Sequence, residues 1–173
     1  MTPCNTLNGI IKSCSNNQGG IFSVLIQDSA NVTPTGVSAS GTDWIVNTFT
    51  KVSGAPTASG FEFNRNVGSS TVDPKIDLIN GSTYYEVKTT LVFHRREAAK
   101  SRALTILAEG QRYLDIVYKD ANGTQWYIED AQLDGGAEET GTARGDGSKY
   151  TVTFMAQMDH RPYTVALGAE TGF

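Results

Sequence analysis

Between Thr83 and Phe93 the chain alternates strictly, with Tyr85, Val87, Thr89, Leu91 and Phe93 on one parity and Tyr84, Glu86, Lys88 and Thr90 on the other. Successive side chains leave a strand on opposite sides, so this period describes a strand with one face on a core and the other toward water. The tract would span roughly 36 Å if fully extended, well beyond an ordinary strand. Such length suits a wall or an extended hairpin. Asn80-Gly81 just upstream predicts a tight turn to a second alternating tract, Thr71 to Leu78, with Val72, Ile76 and Leu78 on one side.

Other segments extend the pattern. Ile21, Phe22, Val24, Leu25 and Ile26 follow Gly19-Gly20 and predict a well buried strand closed by Asp28-Ser29. Further strands are expected at 43–49, 59–64, 112–118, 125–131 and 149–157. Residues 31–60 are otherwise rich in Thr, Ser, Gly and Pro, and read as a loop-rich projecting segment. Helical period occurs once, from Glu97 to Glu109, with Ala99, Ala103, Ile106 and Leu107 on one face and Gly110 just past the end. Many strands with one helix predict a mainly β chain: an antiparallel β-sandwich or barrel with a flanking helix at about 97–109.

The 173 residues suffice for one domain, 1–173, with an N-terminal arm over 1–18. Fourteen basic residues against 18 acidic ones give a formal charge of −4, without the basic excess of a protein that grips phosphates. No apolar run approaches the roughly 20 residues that cross a bilayer, and no secretion signal is read at the start. Folding in the cytoplasm is therefore expected, with Cys4 and Cys14 as reduced thiols and a later disulfide as the alternative.

A search for catalytic or metal-binding patterns returns little. His94 and His160 lie beside Arg95-Arg96 and Arg161, without a second ligand at metal spacing. No Gly-x-Ser-x-Gly elbow or phosphate-cradling glycine loop is present. Glu129, Asp130, Asp134, Glu138 and Glu139 match no calcium loop, and are expected to form a solvated or lumen-facing charge patch. Arg144-Gly145-Asp146 reads as a turn between strands. Trp44, Trp126, Tyr84, Tyr85 and Tyr127 are expected to fill core or interface. The reading is of a protein without turnover and without a cofactor or metal.

Taken in order, Cys4, Gly9-Ile10, Cys14 and Gly19-Gly20-Ile21, then Tyr84-Tyr85-Glu86 leading to the long strand and single helix, then Asp120-Ala-Asn-Gly123 and Gly141 to Phe154, carry a resemblance. The chain resembles the tail tube (major tail) proteins of tailed bacteriophages, of the type found in phages and prophages of Bacteroidetes. The order of elements carries the likeness over nearly the whole length.

The resemblance implies a structural virion protein, made in the host cytoplasm and located in the tail, whose six-membered rings stack into a tube for genome ejection. Implied partners are copies of itself, the tape-measure, tail tip or baseplate and terminator proteins, and a sheath if the tail contracts. Genomic DNA would pass without specific binding, and no membrane is involved. Each ring would carry six times the −4 of one chain, which suits a channel that repels DNA. Candidate lumen-facing residues are Glu62, Asn64, Asp73, Lys75, Asp77, Glu86 and Lys88. Candidate contacts between subunits or rings are Ile10, Ile11, Trp44, Ile45, Phe49, His160 and Arg161. The alternatives are another virion part, such as a tail terminator or head decoration protein, and a ligand-binding β-barrel.

Overall fold

The computed structural model describes residues 17–40, 43–56, 58–62, 68–77, 79–109 and 112–173, with the backbone alone considered at 38–40, 43, 59–62 and 77. The predicted contacts Ile10 and Ile11, the predicted lumen residue Asn64, and both cysteines lie outside the described residues.

Among the described residues, twelve strands and one α-helix follow in the order β1 (Ile21–Asp28), β2 (Val32–Thr35), β3 (Ser38–Ser40), β4 (Asp43–Val46), β5 (Thr48–Lys51), β6 (Ser59–Glu62), β7 (Gly68–Asp77), β8 (Ser82–His94), α1 (Ala98–Ala108), β9 (Leu114–Asp120), β10 (Gln125–Glu139), β11 (Lys149–Met158) and β12 (Tyr163–Val165). The mainly β class and the single helix match the expectation from sequence.

The architecture turns on β10. Its first half, to Ala131, pairs with β9 and β12. Its second half, from Gln132, pairs only with β11 among the described residues, and β11 continues to β8 and β7. One strand therefore passes from one layer of a sandwich into the other. The register shifts between Ile128 and Ala131, where Asp130 takes the left-handed conformation (φ 50°), and again between Leu133 and Gly135. Such bulges bend a strand and raise its twist. Strand β7 approaches β1 without a ladder between them, so the sandwich is not closed into a barrel among the described residues.

The main core fills the space between the layers. Val24 and Ile26 of β1, Ile116 of β9 and Ile128 of β10 meet Val87 and Leu91 of β8 and Val152 and Phe154 of β11. A second core lies on the far side of β9 and β10, where Val32, Val46, Phe49, Val117, Tyr127 and Phe173 come together. Strand β9 is thus covered on both faces, which explains five consecutive buried residues from Leu114 to Tyr118.

Part of residues 31–60 contributes to this second core. Strands β2 and β5 form a small antiparallel sheet, and Val32, Val46 and Phe49 pack inward as a third layer. The helix packs differently from its pattern. Leu104 and Leu107 reach the main core, whereas Ile106 is exposed. Its N-terminal end is held by buried Tyr150, whose hydroxyl lies 2.6 Å from Ser101 Oγ and accepts from the Glu97 amide at 3.2 Å.

Candidate functional site: a polar sheet face and an aromatic groove

The wing formed by β7, β8, β11 and the second half of β10 is amphipathic. Val87, Thr89, Leu91 and Phe93 of β8 are buried against the core, while Glu86, Lys88 and Thr90 point the other way. Register carries the polar face across the sheet: Asp73 lies opposite Glu86, Lys88 opposite Met155, and Thr90 opposite Thr153, with 3.2 Å between the two threonine hydroxyls.

Four predicted lumen residues, Asp73, Lys75, Glu86 and Lys88, therefore share this face, and Asp77 continues the same register on β7. Glu62 does not belong with them. It lies on β6, which pairs with β1 in the opposite layer. The face is also less acidic than the net charge suggests. Lys75 is bonded to Asp73, and Lys88 reaches across β11 to Asp134 at 3.2 Å. Asp73, Asp77, Glu86 and Asp134 against Lys75 and Lys88 leave an excess of two carboxylates.

Both outer edges of this wing are open among the described residues. Strand β7 pairs with β8 alone, and residues 132–139 of β10 pair with β11 alone. Neither fits an isolated, finished sheet, since an unpaired edge is a template for another strand. At one end the β7 and β8 hairpin outruns β11, whose last partner is Tyr85. The projecting part carries Ile76 and Ile79, which are 64% and 94% exposed.

The acidic cluster is resolved by the strand pairing. Glu138 bonds Arg96, Glu139 bonds Lys149 at 3.1 Å, and Glu129 lies 2.9 Å from His160. No group of three or more His, Cys, Asp or Glu is placed for a metal among the described residues. Asp146 of the Arg-Gly-Asp turn accepts from the Thr142 and Ala143 amides at 3.0 and 2.7 Å. These donors lower its pKa from the ordinary carboxylate value, and its carboxylate is committed to its own loop.

A groove of about 960 Å³ opens at the end of the sandwich near the hairpin base. Trp44, Tyr163 and His160 form a continuous stack along it, with centroid spacings of 5.7 and 3.9 Å and nearly parallel rings. His160 is fixed by Glu129 on one nitrogen and by the Arg161 carbonyl, 2.8 Å from the other. Arg161 lies over the Tyr85 ring at 5.4 Å. Trp126 forms another wall.

Three predicted contact residues, Trp44, His160 and Arg161, are thereby brought together. Ile45 is half-buried on β4 beside them, paired with Thr164. Phe49 is not available for such a contact. It is buried between Tyr127 and Phe173, with edge-to-face ring spacings of 5.2 and 5.1 Å. Sequence reading missed Tyr163, the middle ring of the stack. Its position depends on β12 pairing with both β10 and β4, for which no local signal exists.

No described helix is long and apolar enough to cross a membrane. No family model and no curated protein matches the chain. Among solved structures, the chain is similar to a chain of the anti-feeding prophage (AFP) baseplate, solved by cryo-EM and 6-fold symmetrised. The TM-score is 0.41 at 9% identity, over 84% of this chain and 97% of that one.

Proposed function

We propose that this chain is a structural subunit of a phage-type tail, and that copies of it close into six-membered rings that stack as the tail tube. The observation that carries this reading is the wing formed by β7, β8, β11 and β10, which is apolar on one face, polar on the other and, among the described residues, unpaired at both edges. Pairing β7 of one copy with residues 132–139 of β10 in the next would satisfy both edges by a head-to-tail contact. A head-to-tail contact closes into a ring when its rotation allows.

In such a ring the polar faces line a channel. The wall is then dominated by threonine and by paired charges, with a small carboxylate excess, so it offers DNA no strong attachment. The projecting hairpin places Ile76 and Ile79 at one end of the wing, where a neighbouring ring would cover them. The protein performs no turnover in this reading, and its end partners are the tape-measure, tail tip and terminator proteins. The sequence resemblance to tail tube proteins supports the same assignment independently of the sheet edges.

Sedimentation over a range of concentrations tests the proposal. A transition from monomer to one closed species of six chains is expected, and a chain that remains monomeric at every concentration is incompatible with it.

A further inference from the structure

The connection between β11 and β12, Asp159-His160-Arg161-Pro162, carries the chain from one layer of the sandwich to the other. Its side chains tie β4, β8, β10 and β12 together at the groove. The His160 ring stacks on Tyr163 of β12 at 3.9 Å, and Tyr163 stacks in turn on Trp44 of β4 at 5.7 Å. The Arg161 guanidinium lies over Tyr85 of β8 at 5.4 Å. His160 Nε2 is 2.9 Å from Glu129 Oε1 of β10, a residue 31 positions away in sequence, and Nδ1 is 2.8 Å from the Arg161 carbonyl oxygen.

Both ring nitrogens of His160 therefore face oxygens that can only accept. A carbonyl has no proton to give, and neither has an ionised carboxylate. A neutral imidazole carries one N–H and one lone pair, so either tautomer satisfies one partner and turns a lone pair toward the other oxygen at 2.8 or 2.9 Å. The imidazolium donates to both. Placing the same proton on Glu129 would also complete both bonds, but a carboxylate is the weaker base of the two. The surrounding charges agree. Among the described residues, the titratable groups around the ring are Glu129 on β10, Asp159 and Arg161 on the loop, Tyr163 on β12 and Tyr85 on β8. Tyrosine hydroxyls carry no charge at neutral pH, so two carboxylates are balanced by Arg161 and a charged His160, whereas a neutral His160 leaves one carboxylate in excess.

We propose that His160 is held as an imidazolium in the folded chain, and that its second ring proton latches the 159–162 loop to β10 and so keeps the aromatic groove in its observed form. Loss of that proton removes one of two hydrogen bonds and sets a nitrogen lone pair against an oxygen. The loop is then released, and with it the His160 ring from Tyr163 and the Arg161 guanidinium from Tyr85. The groove is thus a proton-dependent surface, formed when His160 is charged and loosened when it is not. The inference goes beyond the ring assignment and does not depend on it.

Nuclear magnetic resonance of the histidine ring nitrogens gives a direct test. The chain has two histidines, His94 and His160, and a His160→Gln variant assigns their signals. At a pH where the urea-unfolded chain shows neutral imidazoles, both His160 nitrogens of the folded protein should carry protons. A neutral tautomer of His160 at that pH would overturn the proposal. The latch itself is read from the cross-relaxation between the His160 and Tyr163 rings, which should be lost in the wild type as rising pH removes the proton. Glu129→Gln separates a proton latch from a merely structural contact, because an amide there can donate to the ring lone pair, and a neutral His160 then keeps both hydrogen bonds. In that variant His160 should be neutral over the pH range in which the wild type changes, with its contact to Tyr163 intact throughout. Cross-relaxation that persists in the wild type, or that is lost equally in both proteins, would contradict the latch.

Discussion

The Tyr127 hydroxyl donates to Asp115 Oδ2 at 2.6 Å, joining β10 to β9 through a carboxylate that is only 3% exposed. Asp115 Oδ1 accepts from Ser29 Oγ at 2.6 Å and from the Asp130 amide at 3.2 Å. One buried side chain thus holds the end of β1, the neighbouring strand and the bulge at which β10 leaves one layer for the other. Tyr127→Phe removes a donor from this carboxylate and should cost about 1–3 kcal/mol. The change in the urea unfolding midpoint measures it.

The same carboxylate sets a pH dependence. Burial raises the Asp115 pKa above its ordinary value, against the lowering effect of its hydrogen bonds. A raised carboxylate holds its proton more tightly in the folded state than in the unfolded one. Its contribution to stability is therefore complete below the ordinary carboxylate pKa and is lost as pH rises through the raised value. Asp115→Asn should flatten that part of the stability profile, measured by urea unfolding at a series of pH values.

Assembly and folding should separate at the hairpin tip. Ile76 and Ile79 are already exposed in the single chain, so Ile76→Asp/Ile79→Asp should change stability by no more than about 0.5 kcal/mol per site. Stacking of rings should be lost. Thermal unfolding and sedimentation of the same sample check both statements together.

Gly68 marks the place where β7 meets β1 across the open side of the sandwich. A Cβ there would lie 2.7 Å from the Thr90 carbonyl and 2.9 Å from Leu91 Cδ2, with Ile21 Cδ1 next at 3.4 Å. Gly68→Ala should destabilise by about 1–3 kcal/mol, the usual cost of overpacking. By contrast Gly19→Ala, where nothing lies within 4 Å, serves as the control in the same denaturation series.

The helix depends on one hydroxyl at its start. Tyr150→Phe removes the partner of Ser101 Oγ and of the Glu97 amide, and should raise hydrogen exchange in Ala98–Ala108 while the β8 amides keep their protection. Equal loss of protection in both elements would mean that Tyr150 acts through the core.

Sequence patterns carried the strands whose alternation is set by one buried face. β8 and β11 run almost as expected, because Val87 to Phe93 and Tyr150 to Met158 mark the core side without interruption. The second half of β10 was not legible. Asp134-Gly135-Gly136 lacks β propensity, the bulge at Leu133 breaks the parity, and pairing with β11 supplies the strand geometry instead. Short β2, β3 and β5 are likewise made by tertiary pairing within Thr- and Ser-rich sequence, and β12 by its pairing with β10 and β4. Of the candidate surfaces, the polar parity of β7 and β8 was visible in the alternation. The groove was not, since Trp44 and His160 meet only when β12 seats against β4.

Assembly into a tube is directly visible by electron microscopy of the purified chain across a concentration series. Hollow rings with six-fold symmetry that stack end to end as concentration rises are expected. Single particles at every concentration, or closed dimers without a central channel, would contradict it.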